Sequence, residues 1–157
     1  MSVSLLSICT WHKGGFFMEK QEALSKGLNL MKRAKIALVG SNDERSFPNI
    51  KAFLNLAPES LQRIWFSTNT SSKRVGQFRK NRRACVYYVD ENMFEGLLLV
   101  GTMEVLQDSE SRKKLWREGF EMYYPQGVDD PDYSVLRFTA EWGNYYHGLS
   151  NVTFQID

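Results

Sequence analysis

The chain of 157 residues contains only two cysteines, four prolines and two histidines, and no apolar stretch approaching the ~20 residues that span a bilayer. Each shortage excludes something. Cys9 and Cys85 form no CxxC pair and have no histidine at ligand spacing, which argues against a disulfide framework and a zinc site and fits a reducing cytoplasm. No apolar run, residues 97–100 among them, is long enough to cross a membrane. Charge of one sign is also scarce: 20 Lys and Arg against 18 Asp and Glu leave a formal net charge of +2, without the excess of a dedicated nucleic-acid binder. Any anion binding is therefore local.

The 43% apolar and 13% aromatic residues suffice for one domain that buries roughly two-thirds of its unfolded surface. Residues 1–17 look unlike the rest, with neither the charged start nor the continuous apolar core of a signal peptide. Lys13-Gly14-Gly15 can be encoded by a ribosome-binding sequence a few codons before Met18. The expectation is a single domain over residues 18–157, preceded by a leader outside it or by a loose natural tail.

Along that domain, Leu24, Leu28 and Met31 recur at helical spacing within residues 19–34, with Gly27 as the weak point. Residues 35–40 and 47–56 read as a β-hairpin around the turn-rich residues 41–46, and Pro58-Glu59 as the next turn. Residues 63–67 form a strand, after which Ser71 or Ser72 caps a helix with Val75 and Phe78 inside. Residues 84–89 and 96–106 are β-branched and aromatic. Asp108 caps a helix expected to run to about Met122, and residues 133–139 and 143–147 make a last pair of strands, followed by a short one at 152–156. Six or seven antiparallel strands with three helices and short links predict a mainly β fold, a closed or nearly closed barrel with flanking helices.

The chemistry concentrates after the third strand. Ser67, Thr68, Thr70, Ser71 and Ser72 place five hydroxyls directly before Lys73 and Arg74, at the start of a helix. Free backbone N–H groups and the positive end of the helix dipole favour an anion there, and hydroxyls with a basic side chain complete a phosphate cradle. The same hydroxyls also serve as ordinary caps, so the segment alone leaves both readings open. Lys51, in an otherwise apolar strand, either reaches solvent or points at the anion. Arg79, Lys80, Arg82 and Arg83 spread around the helix and beyond it, as a solvated face does.

Taken in order, residues 64–73, 81–88, 96–104, Leu115-Trp116 and 129–138 resemble the pyridoxamine 5'-phosphate oxidase superfamily, most closely its general-stress-protein-like branch of FMN-binding split barrels. The resemblance implies a homodimer with FMN at its interface. By position it assigns Ser67, Thr68, Ser72, Lys73 and Arg74 to the cofactor phosphate, with Lys51 where many relatives carry arginine. It runs the backbone of Ala52, Phe53 and Leu54 beside the ring system. Trp116 is a further candidate against the ring. The implied activity is an oxidoreductase passing hydride or electrons between NAD(P)H or a small reductant and the flavin, with a flavin-binding or flavin-sensing stress protein as the alternative.

Two departures narrow that reading. Gly96 stands where the vitamin-B6 oxidases have a glutamine on the flavin, and the chain has no arginine after Arg137, so their C-terminal arginine motif is missing. Oxidation of pyridoxamine 5'-phosphate is therefore not expected. Wider relatives use haem or a deazaflavin, but His147 reads as a solvated edge histidine rather than an axial ligand. Trp142 is a second ring candidate, Cys85 reads as a small buried hydrophobe, and Asp129, Asp130 and Asp132 read as turn chemistry around Pro131.

Overall fold

Helix α1, Lys20–Arg33, forms where the amphipathic pattern places it, with Glu22 in its first turn and Lys32 and Arg33 in its last, both favourable to the helix dipole. The computed structural model describes residues 18–157, so the leader expected over residues 1–17 lies outside the described residues. Ala23, Gly27, Leu30 and Met31 are the buried face, while Leu24 and Leu28 pack only at its flank. Gly27 is the point of contact: a Cβ there would stand 3.1 Å from Leu97 Cδ1 and 3.7 Å from Tyr145 Cδ2. The residue that weakens the helix in isolation lets it lie close against the sheet.

The strands follow as β1 (Ile36–Asn42), β2 (Pro48–Leu54), β3 (Ala57–Pro58), β4 (Arg63–Asn69), β5 (Arg83–Asp90), β6 (Glu95–Leu106), β7 (Tyr133–His147) and β8 (Ser150–Gln155). Helices α2 (Lys73–Lys80) and α3 (Ser109–Leu115) interrupt them, and two single 3₁₀ turns, Phe120–Met122 and Gly127–Asp129, lead into β7. Pairing is antiparallel throughout, in the order β2-β1-β5-β6-β7-β4-β3, with β8 also on β7.

Three expectations need correction. The helix capped by Asp108, whose carboxylate accepts the Ser111 N–H at 2.9 Å, ends at Leu115 because Trp116 turns out of helical geometry and Gly119 adopts φ 89°. Pro58, expected in a turn, pairs with Ile64 in a two-residue edge strand, a place where proline's missing N–H costs no ladder bond. Residues 133–147 make one long strand rather than two. Its partner changes midway, from β4 along residues 133–139 to β8 along residues 142–147, and this exchange is what looked like a break.

The sheet curls until its two ends approach, and Phe53 of β2 meets Phe66 of β4 across the gap with ring centroids 5.5 Å apart. The result is a split barrel. Its interior holds the main core, with Val39, Phe66, Val86, Tyr88, Leu99, Phe138 and Tyr145 among its members. Glu95 is buried with them, accepting the Tyr145 hydroxyl and pairing with Arg33 at the end of α1. A second cluster, Trp65, Leu115, Tyr124, Tyr133 and Val135 with Trp116 and Phe120, fastens α3 to the outer side of β4 and β7.

The remaining outer face has a different character. Register sets directly opposite residues in rows across it: Ala52, Leu38, Tyr87, Leu98 and Asn144 in one, Ile50, Gly40, Cys85, Val100 and Trp142 in the next. Ile50 is 72% exposed and Leu54 56%, with Ile36 and Val89 also open to solvent. Among the described residues no helix covers this part of the sheet, and none is long and apolar enough to cross a membrane.

Candidate functional site

Ser72 has the extended backbone of an N-cap, and its hydroxyl accepts the Val75 N–H at 3.4 Å. Thr68 Oγ1 lies 3.4 Å from the same Ser72 oxygen. Both separations are long for hydroxyl hydrogen bonds, so the two side chains are only loosely committed within the protein. Their neighbours are tied down. Asp132 accepts from Asn69 Nδ2 at 2.8 Å, from the Ser71 N–H at 2.7 Å and from Ser71 Oγ at 3.2 Å, and its carbonyl takes the Thr70 N–H at 2.7 Å. Thr70 Oγ1 is 2.7 Å from Ser134 Oγ. Of the five hydroxyls, Thr70 and Ser71 thus fix the turn, Thr68 and Ser72 stay available, and Ser67 lies on the opposite side of β4.

Asp132 is the turn-holding residue that sequence reading missed. It belongs to an aspartate cluster with an obvious local duty, which Asp130 carries out by accepting the N–H groups of Gln126 and Asp132. Nothing local signals a partner 61 residues away. Hydrogen bonds from Asn69, then Ser71, hold the Asp132 carboxyl below the usual range. A depressed folded-state value means the contribution is present above the unfolded pKa near 3.9 and is lost as pH falls through the lower folded value. The turn is therefore expected to keep its shape at neutral and mildly acidic pH and to open only as pH falls below the ordinary carboxylate range, through the lowered folded value. Asp132→Ala is expected to open it at pH 7, with amide exchange at Thr70 and Ser71 accelerated about tenfold or more relative to the parent protein.

Arg74 completes the positive side. Its Cζ lies 6.0 Å from the centroid of Phe53, at the outer limit of a cation–π contact, and so draws α2 against β2. On β2, Lys51 pairs with Val39 and Phe53 with Ala37, so Lys51 shares the inward side of the strand with Phe53 while remaining exposed. Thr68, Ser72, Arg74, Phe53 and Lys51 thus gather at the mouth of the barrel where β2 and β4 approach. Lys73 and Arg74 open α2, and their N–H groups have no partner within the helix. This arrangement can hold a dianionic phosphate with a planar group extending along β2.

Five other expected residues lie elsewhere around that mouth. Ala52 and Leu54 direct their side chains to the outer face, which leaves the backbone contact assigned to them unaffected. Ser67 alternates to the same side of β4 as Trp65, away from Thr68. Lys73 borders a neighbouring cleft of about 470 Å³ together with Asn42, Gln77 and Lys80. Trp116 is half-buried in the second cluster, edge-on to Tyr133 at 5.3 Å and to Phe120 at 5.7 Å. Of the remaining basic residues, Arg79 donates to Gln107, Lys80 pairs with Glu44, and Arg82 pairs with Glu104 at 2.9 Å.

The fold and this mouth define the class: an antiparallel split barrel with an anion-ready strand-to-helix turn beside its gap. Residues 22–156 match the model of the family described as pyridoxamine 5'-phosphate oxidase like, and the chain belongs to that family. A Clostridium acetobutylicum protein related to general stress protein 26 of B. subtilis is 50% identical, with 88% of this chain and 98% of that one covered at a TM-score of 0.80. General stress protein 26 of Bacillus anthracis, 13% identical, covers 84% and 97% at 0.69 and shares the fold. So does a haem-binding protein of Mycobacterium smegmatis, 11% identical, over 85% of this chain and 57% of that one at 0.67. No curated protein matches.

Proposed function

We propose that this protein binds FMN at the interface of a homodimer and acts as a flavin-dependent oxidoreductase. One observation carries the reading above the others: two loosely committed hydroxyls, Thr68 and Ser72, lie at a helix N-terminus beside Arg74 and Lys51. A phosphate monoester satisfies all of them at once. Arg74 supplies a fork for two oxygens, Lys51 a point charge, and the N–H groups of Lys73 and Arg74 further donors. The open edge of β2 offers backbone groups to a planar heteroaromatic ring. When bound, the isoalloxazine supplies the redox chemistry, and the protein's part is to hold and shield it.

The dimer rests on the outer face. Exposed Ile36, Ile50, Leu54 and Val89 on contiguous strands are costly in water, and a second copy of the same face is the simplest cover. Haem suits the described residues less well, since His147, their only histidine, is exposed at the end of β7, away from the mouth. A phosphorylated B6 substrate lacks the basic residues after Arg137 that would hold it.

Purified protein is expected to take up FMN stoichiometrically, to run at twice the chain mass in light scattering, and to have its flavin bleached repeatedly by NADH or NADPH. A yellow protein that no nicotinamide reduces would favour the flavin-sensing alternative. Failure to take up added FMN would falsify both.

A further inference from the structure

Gly76 is a glycine that no packing contact requires. It stands in the middle of the eight-residue helix α2, where glycine weakens the helix, and no atom beyond its own stretch of helix lies within 4 Å of where its Cβ would be. The open space borders the cleft of about 470 Å³ between α2 and the turn of the β1–β2 hairpin. Gly76, Gln77 and Lys80 share that flank of the helix with Lys73, while Arg74, about 100° further round, turns toward Phe53 at the mouth.

Three side chains of the cleft keep capacity that the chain does not use. Lys73 pairs with no carboxylate among the described residues. Gln77 Oε1 accepts the hydroxyl of buried Ser41 at 2.6 Å, which fixes the amide and leaves its two N–H donors over. Asp43 Oδ1 accepts the N–H groups of Arg45 and Phe47, each at 2.9 Å, and Oδ2 takes no part. At the last residue of α2, Lys80 pairs with Glu44, so that end of the cleft is balanced in charge.

The cleft continues the flavin site on the side away from the ring. The ring is assigned to the backbone of residues 52–54, whereas the cleft is bordered by Asn42, which pairs with Pro48, about 10 Å along β2 before Lys51. Arg74 serves the mouth and Lys73 the cleft, so a second phosphate joined to the first meets Lys73. Beyond it lie a carboxylate oxygen for a ribose hydroxyl, amide donors for the nitrogens of a base, and bare helix at Gly76 for a planar ring to lie against.

We propose that this cleft holds the adenylate half of FAD, so that the site accepts FMN and binds the dinucleotide more tightly. This rests on the flavin reading above. Asp43 disfavours a phosphate on the ribose, which sets the adenylate of FAD apart from that of NADPH.

The test is calorimetric titration of the full-length protein with FMN and with FAD. The parent is expected to bind FAD about tenfold more tightly, as one or two added hydrogen bonds provide. Gly76→Leu fills the open space with a better helix former and is expected to bring the two affinities within about twofold by weakening FAD alone. Gln77→Ala is expected to weaken FAD about threefold to tenfold and leave FMN unchanged. Equal affinities in the parent would overturn the proposal, as would a Gly76→Leu protein that loses FMN and FAD alike. Binding of 5′-AMP to the FMN-loaded parent without a preference for FAD would also overturn it, by giving the cleft to a separate nucleotide. A parent that takes up neither flavin defeats the underlying reading, whereas one that binds FMN and holds FAD no better defeats this inference alone.

Discussion

Replacing Arg74 by alanine is expected to weaken FMN binding about tenfold to a hundredfold, the largest effect of any single change at the mouth of the barrel. Hydrogen bonds to charged groups contribute about 1.5–3 kcal/mol each, and in the proposed function Arg74, which rests on Phe53, makes two to one phosphate. Its loss also leaves the N-terminus of α2 less firmly held to β2. Arg74→Lys is expected to recover only part of the affinity, because an ammonium offers charge without the fork. Arg82→Ala is the control, since that guanidinium is exposed, already pairs with Glu104, and should change affinity less than about twofold. Fluorescence titration of FMN distinguishes these cases. Equal affinities for the Arg74 and Arg82 variants would remove the phosphate from the turn.

The second large effect is on stability. Gly101→Ala would put a Cβ 2.0 Å from the Thr139 carbonyl oxygen and 2.9 Å from the Ala140 Cα, both backbone atoms of the neighbouring strand. Neither can yield without parting β6 from β7, at the register shift between Val100 and Gly101. A loss of about 3 kcal/mol, the upper end of ordinary overpacking, is expected. At 2–4 °C per kcal/mol for a chain of this size, thermal unfolding should begin about 10 °C lower. Gly76→Ala provides the opposite case within the same molecule. Nothing lies within 4 Å of its added methyl, and alanine in the middle of α2 is expected to raise stability by about 0.5–1 kcal/mol.

Both predictions concern residues whose identity is plain in the sequence and whose importance is not. Arg74 stands among Lys73, Arg79, Lys80, Arg82 and Arg83, and composition cannot tell which of these meets a ligand. The fold separates them by giving Lys80 to Glu44, Arg82 to Glu104 and Arg79 to Gln107. Ser67 and Thr68 show the same limit. Both are hydroxyls beside the turn, but one residue of strand alternation sends them to opposite faces of β4.

What the sequence determined by itself was everything set by local spacing. The 3.6-residue period of α1, the hairpin of β1 and β2, the strand-to-helix turn and the caps at Ser72 and Asp108 follow from near neighbours, and so does the order of blocks that marks the family. Tertiary structure decided what depends on residues far apart in the chain: the single β7 that changes partner midway, and Asp132 reaching the turn from 61 positions away. It also brought the Tyr87 and Tyr146 hydroxyls to 3.0 Å from each other beside Gly96. The reason in each case is that side-chain packing and hydrogen bonding across a sheet are set by register, and register is fixed only when the strands meet.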